Sequence, residues 1–300
     1  MTKRLWKHSR FNKEIVMEIG IVLSGGMAKG AYQIGVLQAI KEILPMESIK
    51  VISASSVGIL NAYSFATDKL NYAKQMWLEL CDDNSRIFIG QLLKSSILQK
   101  DINSLCLEED VLTQNFYVTL FDSITYNITY KNLLNVDKDE ILRYLTAGIS
   151  FPIYNHSVLV GGSAYYDGAM LDNIPIFPLT NHKLDYIICI YFDQADYIFE
   201  NPEFDKNIIK LNFPSECFLR QSAVFKKENI EKMIGEGYRK TFEVLSYIFD
   251  GSLDDKEIIN SRKSLMNQLS ENKRIRITGD VLVNNLNRLT KKLLKKNVVL

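Results

Sequence analysis

Two short segments constrain the architecture more than anything else in the chain. In "MEIGIVLSGGMAKGAYQIGVL" (17–37) and again in "IKVISASSVGILNA" (49–62), an apolar run breaks at a turn of small residues and resumes with apolar positions at helical spacing. Strands of this kind, apolar at nearly every position, are buried on both faces. Repeated strand–turn–helix units predict parallel strands joined by crossover helices. The predicted strands are 17–23 and 49–53, and the predicted helices 31–44 and 57–65.

Farther along, residues 115–130 alternate apolar and polar around an Asp-Ser break, as a hairpin does, and a helix is predicted over 137–147. "HSVLVGGSAYYDGAM" (156–170) carries a second hairpin centred on Gly161 and Gly162, and "LDYIICIYF" (184–192) is a continuous apolar run typical of a buried strand. From about Ser222 the pattern is mostly helical, closing with "GDVLVNNLNRLTKKLLKKNVVL". The expected fold is α/β, a mostly parallel central sheet in a three-layer α/β/α arrangement. It is expected to divide into a domain over residues 15–250 and a helical C-terminal extension over 251–300.

Charge and cysteine usage narrow the classes of function. The 36 basic and 35 acidic side chains of the 300-residue chain leave a formal charge of +1, so no global field points to nucleic acid as a partner. No stretch is long and apolar enough to read as a spanning helix, and 15–23 is interrupted by Glu18 and lacks a cleavage-like site. Cys81, Cys106, Cys189 and Cys217 are scattered, without a C-x-x-C pair or a nearby histidine cluster, which fits reduced buried thiols and no metal site. A cytoplasmic location is expected, with export by a route that needs no cleaved signal left open.

The turn of the second unit holds Ser53, Ser55 and Ser56 within four positions, and one of them can occupy the tip. Ser56 alone has small residues two positions to either side, Ala54 and Gly58. Larger side chains there collide in a sharp strand-to-helix turn, so this spacing lets a hydroxyl stand exposed at the start of a helix. Taken by itself, a serine at this place is equally an N-cap. A nucleophilic serine needs a base and an oxyanion site, yet His8, His156 and His182 lie in no recognisable motif. The first unit could hold an oxyanion, or its glycines serve only to pack helix on strand: adjacent Gly25 and Gly26 expose backbone N–H groups, and Lys29 adds positive charge near the helix start, or is simply solvated there. Its spacing matches neither of the common nucleotide-binding glycine patterns.

"LSGGMAKGAYQIGVL" (23–37), "SASSVGILNA" (53–62) and "AGISFPIY…YYDGAMLDNIP" (147–175) together resemble the three ordered signatures of patatin-like phospholipases: a glycine-rich oxyanion loop, a serine elbow and an Asp-Gly-Gly/Ala motif. The resemblance covers about residues 19–178. It implies a Ser–Asp dyad without histidine, with Ser56 as nucleophile, Asp167 as base and the amides of Gly25, Gly26 and Met27 as oxyanion hole. It also implies lipid acyl esters such as phospholipids as substrate and no cofactor. Lys29 takes the place of the family's usual Arg, Ala54 that of the elbow's first glycine, and Met27 stands where a third glycine is common. An acyltransferase or thioesterase of the same fold, and a lipid-binding protein without turnover, remain as alternatives. The basic chain ends, Lys3 to Lys13 interleaved with Trp6 and Phe11, and Arg288 to Lys296 interleaved with leucines, are candidates for peripheral contact with an anionic membrane surface.

Overall fold

The structure, a computed structural model, describes residues 17–80, 87–88, 96–107, 109–152, 154–194, 196–199, 202–213, 224–225, 227–250, 255–269 and 273–276. The elements in order are β1 (Ile19–Leu23), α1 (Gly30–Ile43), β2 (Ile49–Ala54), α2 (Val57–Ala66), α3 (Leu70–Glu79), β3 (Ile87–Phe88) and α4 (Ser96–Leu105). They continue with β4 (Asn115–Asp122), β5 (Asn127–Asn132), α5 (Lys138–Ala147), β6 (Val158–Val160), β7 (Ser163–Asp167), β8 (Tyr186–Tyr191) and β9 (Asp196–Phe199). The last are α6 (Pro202–Asp205), β10 (Ile208–Asn212), β11 (Val224–Phe225), α7 (Lys227–Phe249), α8 (Lys256–Gln268) and β12 (Lys273–Arg276). Both predicted strand–turn–helix units and both predicted hairpins are present, and β10 is a strand the apolar pattern did not announce.

The main sheet has eight strands in the order β10-β8-β1-β2-β4-β7-β6, with β5 beside β4. The strands from β10 to β4 are parallel, whereas β5, β7 and β6 pair antiparallel. The sheet is therefore mixed. One edge of β4 is shared: β2 pairs with Asn115 to Val118, β7 takes over at Leu120 to Asp122, and β5 occupies the opposite edge. Ala54 stands opposite Val118 and Asp167 opposite Leu120. The C-terminal ends of β2 and β7 thus approach one another along β4, two residues apart, or about 7 Å at strand spacing.

The two faces of the sheet are covered unequally. On one, Ile21, Leu23, Ile52 and Ile188 join Ile34, Leu37, Leu60 and Leu245 of the helices in the larger core. On the other, Val22, Val51, Ile187 and Cys189 pack with Ile174, Ile176 and Leu179, so a 3-10 turn over Phe177–Asn181 and the segment before it do the covering. Gly20 is closely covered on this face: a Cβ there lies 2.6 Å from a methyl of Leu179 and 2.8 Å from one of Leu184, so those side chains must shift to admit it.

Of the expected C-terminal extension, the described residues hold α8 and β12, and β12 is a strand pairing parallel with β9. Asn267 of α8 donates to the Ile208 carbonyl on the sheet edge, and Ile259 is buried in the larger core. Residues 277–300 and 1–16, which carry the basic ends, lie outside the described residues.

Helices α1 and α7 touch backbone to backbone. A Cβ on Gly35 meets the Ile234 carbonyl oxygen at 1.9 Å, and one on Gly237 meets the Tyr32 carbonyl oxygen at 2.1 Å. Gly235, two residues away on α7, meets only the far end of Arg239 at 3.3 Å. Gly237→Ala is therefore expected to force the helices apart and destabilise the protein by about 1–3 kcal/mol or more. Gly235→Ala is expected to be neutral or to stabilise by up to about 1 kcal/mol through helix propensity. Thermal midpoints that fall equally in both variants would refute this close approach.

Candidate active site

Ser56 follows the end of β2 and precedes α2, at φ 52° and ψ −136°. This backbone conformation is sparsely populated for a residue with a side chain and costs about 1–3 kcal/mol, which the flanking strand and helix must offset. Gly58 permits it, because a Cβ there lies 2.8 Å from the Ser24 carbonyl oxygen and 2.9 Å from that of Leu23. Ala54 ends β2 in extended conformation, outside the positive-φ residues, and is fully buried in the larger core. A methyl group at the elbow's first position is accommodated because φ is negative there.

The other two serines of the turn point elsewhere. Ser53 and Ser55 are completely buried, and the Ser55 hydroxyl donates to the Asp172 carbonyl. Only Ser56 retains partial exposure. Its hydroxyl lies beside the carboxylate of Asp167, the last residue of β7, and favours the ionised form; that carboxylate accepts the Ala169 N–H at 2.8 Å. Asp167 is 2% exposed. Burial pushes its carboxyl up to about 7, against the opposing pull of the hydrogen bonds from Ser56 and Ala169. A carboxylate poised there can accept a proton near neutral pH.

The glycine turn after β1 lies directly against the serine. A Cβ on Gly25 meets the Ser56 Cβ at 2.7 Å, the Asn173 side-chain oxygen at 2.5 Å and the Ala169 Cβ at 3.4 Å. Asn173 clamps Gly25 from both sides, accepting its N–H on the backbone carbonyl and donating its side-chain amide to the Gly25 carbonyl. The Gly25 N–H is thus engaged, whereas those of Gly26 and Met27 have no acceptor among the described residues. Gly26 sits on the Phe192 ring, which a Cβ there meets at 2.4 Å. Met27 has φ 52°, a left-handed conformation better suited to glycine, and its side chain is 41% exposed.

Lys29 is not a solvated helix-start residue. It is 3% exposed with its Nζ 5.6 Å from the centroid of the Phe192 ring, because the 3-10 turn Met27–Lys29 carries it inward under the loop. Burial lowers its pKa, and the nearby Asp193 carboxylate works the other way. His182 is hydrogen bonded to Tyr117, and His156 is exposed. Among the described residues no group of His, Cys, Asp or Glu side chains is arranged to hold a metal ion.

Two supporting features lay beyond sequence reasoning. A buried chain of side-chain amides runs from Trp77 Nε1 to Asn61, from Asn61 to Gln33 and the Gly30 carbonyl, and from Gln33 to the Ser24 carbonyl at 2.7 Å. It ties α3, α2 and α1 to the glycine turn. The second is Asp172, buried at 1%, whose carboxylate accepts the Tyr130 hydroxyl while its carbonyl holds Ser55. Polar residues on apolar helix faces were the available signal for the first, and "MLDNIP" for the second.

The raised carboxyl has a consequence for stability. Asp167 ionises near pH 4 when unfolded and near 7 when folded, so its contribution to stability is full below about pH 4 and is lost as pH rises towards 7. The difference is on the order of 4 kcal/mol at alkaline pH. Asp167→Asn keeps an acceptor for the Ala169 N–H and removes the buried charge. Its thermal midpoint is expected to exceed that of the wild type by several degrees at pH 8 and to match it at pH 4. An unchanged difference across that range would show that the carboxyl is not raised.

The chain is 29% identical over 195 residues to the lysophospholipase NTE1 of Cryptococcus neoformans var. neoformans serotype D, in each of two strains. The match takes in 60% of this chain and 11% of the relative, so the chain spans about a tenth of the length of the curated relatives it matches. Among solved structures it is similar to VipD from Legionella pneumophila, at 11% identity and a TM-score of 0.44 over 77% of this chain and 67% of that one. It is also similar to the type III effector ExoU, known in complex with SpcU from Pseudomonas aeruginosa. That likeness has 14% identity and a TM-score of 0.41 over 83% of this chain and 53% of the other. The family described as patatin-like phospholipase matches residues 21–180, a span that runs from the first strand of the glycine turn to past Asp167 and covers more than half the chain. With those residues in that order, the chain belongs to the patatin-like phospholipase family.

Proposed function

We propose that this chain hydrolyses acyl esters of lipids through a Ser56–Asp167 dyad and an acyl-serine intermediate. The observation that carries the reading is the placement of a serine on a strained elbow beside the buried carboxylate of Asp167, with the glycine turn packed against both the serine and Ala169. Family membership supports the substrate class, and the relative's name, lysophospholipase, agrees with it.

In the proposed cycle the Ser56 oxygen attacks the ester carbonyl as its proton passes to Asp167. The amides of Gly26 and Met27 hold the developing oxyanion, backed by the amino-terminal end of α2. Collapse expels the lysolipid or alcohol, which takes the proton from Asp167, and leaves the acyl group on Ser56. Asp167 then accepts a proton from water as it attacks the acyl-serine, and returns it to the Ser56 oxygen as the fatty acid departs. The dyad needs no histidine, because the carboxyl already titrates in the neutral range.

Ser56→Ala is expected to abolish hydrolysis of a phospholipid and lysophospholipid panel and to abolish labelling by a fluorophosphonate, with the fold intact by circular dichroism. Asp167→Asn is expected to lose at least about 10³-fold in kcat. Full labelling of Ser56→Ala would exclude the nucleophile assignment.

The pH dependence separates a carboxylate base from a histidine. The base must be ionised to act, so kcat/KM is expected to fall tenfold per unit below an apparent pKa of about 7 and to level off above it. That limb is expected to survive His156→Ala and His182→Gln, and its disappearance in either would move the base to that histidine.

A further inference from the structure

We infer that the side chains of Met27 and Met170 form two lips of the acyl-chain entrance and favour long acyl chains over short ones; the inference rests on the hydrolase reading above. Both are large apolar side chains left in solvent, Met27 41% and Met170 52% exposed. Both stand beside the dyad. Met27 follows the glycines packed on Ser56, and Met170 ends the 3-10 turn Gly168–Met170 that begins at Asp167. The two turns meet where the Gly25 backbone approaches the Ala169 Cβ and the Ser56 Cβ, at 3.4 and 2.7 Å from a Cβ built on that glycine. Met27 and Met170 are respectively two residues and one residue removed from this junction.

The backbone makes the case for Met27 stronger. It holds φ 52° in a position that glycine occupies without strain, and its side chain contributes nothing to either buried core. Strain retained for an exposed side chain points to a use outside the core. In the proposed oxyanion geometry the Met27 N–H faces the ester oxygen, and its Cβ is two bonds from that nitrogen. The side chain therefore stands beside one of the two groups on the carbonyl carbon, the acyl chain or the alkoxy leaving group, and the inference assigns it to the acyl chain. Methionine is unbranched and polarizable, so a pair of them can follow a flexible hydrocarbon rather than demand one shape.

The test compares kcat/KM for p-nitrophenyl decanoate and p-nitrophenyl butyrate, both below the concentration at which they aggregate. The two esters share one carbonyl and one leaving group, so their ratio cancels any effect on the oxyanion site. The decanoate-to-butyrate ratio is expected to fall about tenfold in Met27→Gly and in Met170→Gln, and to stay near the wild-type value in Met170→Leu. Met27→Gly is also expected to raise the thermal midpoint, since it relieves a left-handed residue. A ratio within twofold of the wild type in both Met27→Gly and Met170→Gln, each folded by circular dichroism and hydrolysing butyrate, overturns the inference while leaving the hydrolase reading intact. If the wild-type chain hydrolyses neither ester, the hydrolase reading fails and this one with it.

Discussion

The shared edge of β4 is the constraint on which the candidate site depends. Because β2 leaves that edge at Val118 and β7 enters it at Leu120, two strands running in opposite directions end within about two residues of each other. The ladder hydrogen bonds fix their register, so Ser56 beyond β2 and Asp167 at the end of β7 are brought together by backbone pairing rather than by the two side chains seeking one another. Their proximity is a product of the sheet. A one-residue slip of β7 would turn Asp167 to the opposite face and remove it from the serine.

Around that contact the protein accepts unfavourable local states. Ser56 and Met27 both have φ 52°, Asp167 is a carboxyl with 2% exposure, and Lys29 is an amino group with 3%. Each is held by something rigid nearby. The parallel strands β1 and β2 fix the turns, Asn173 clamps Gly25, and the Trp77–Asn61–Gln33 chain anchors the Ser24 carbonyl from beneath. Stability is drawn from the apolar layer behind the sheet and from the α1–α7 contact through Gly35 and Gly237, and the candidate site draws on it.

The departures from the family's pattern have different physical meanings. Ala54 is benign, since its extended backbone and buried methyl suit the end of a strand. Lys29 brings its Nζ over the Phe192 ring under the glycine turn, which a solvated lysine would not. Met27 is different in kind, because it occupies a left-handed position with a side chain that faces outward. A substitution that strains the backbone without filling the core changes the surface that a ligand meets.

By itself the sequence determined the two strand–turn–helix units, both hairpins, the buried strand at 186–191 and the identity of Ser56 as the tip residue. Those features are written in neighbours along the chain: apolar runs, small residues at fixed offsets, and Gly161-Gly162 with φ of 56° and 84° at a hairpin turn. Asp167 was legible only through its resemblance to a family motif, because an Asp-Gly pair alone reads as a turn. Tertiary structure alone decided that β7 runs antiparallel along the edge β2 vacates, that "IIKLN" becomes the edge strand β10, and that residues 273–276 form a strand beside β9. It also decided that Lys29 turns inward and that the Gly25 amide is taken by Asn173, leaving those of Gly26 and Met27. Such outcomes depend on pairings between residues far apart in the chain, and periodicity along the chain has no access to which distant strand supplies the partner.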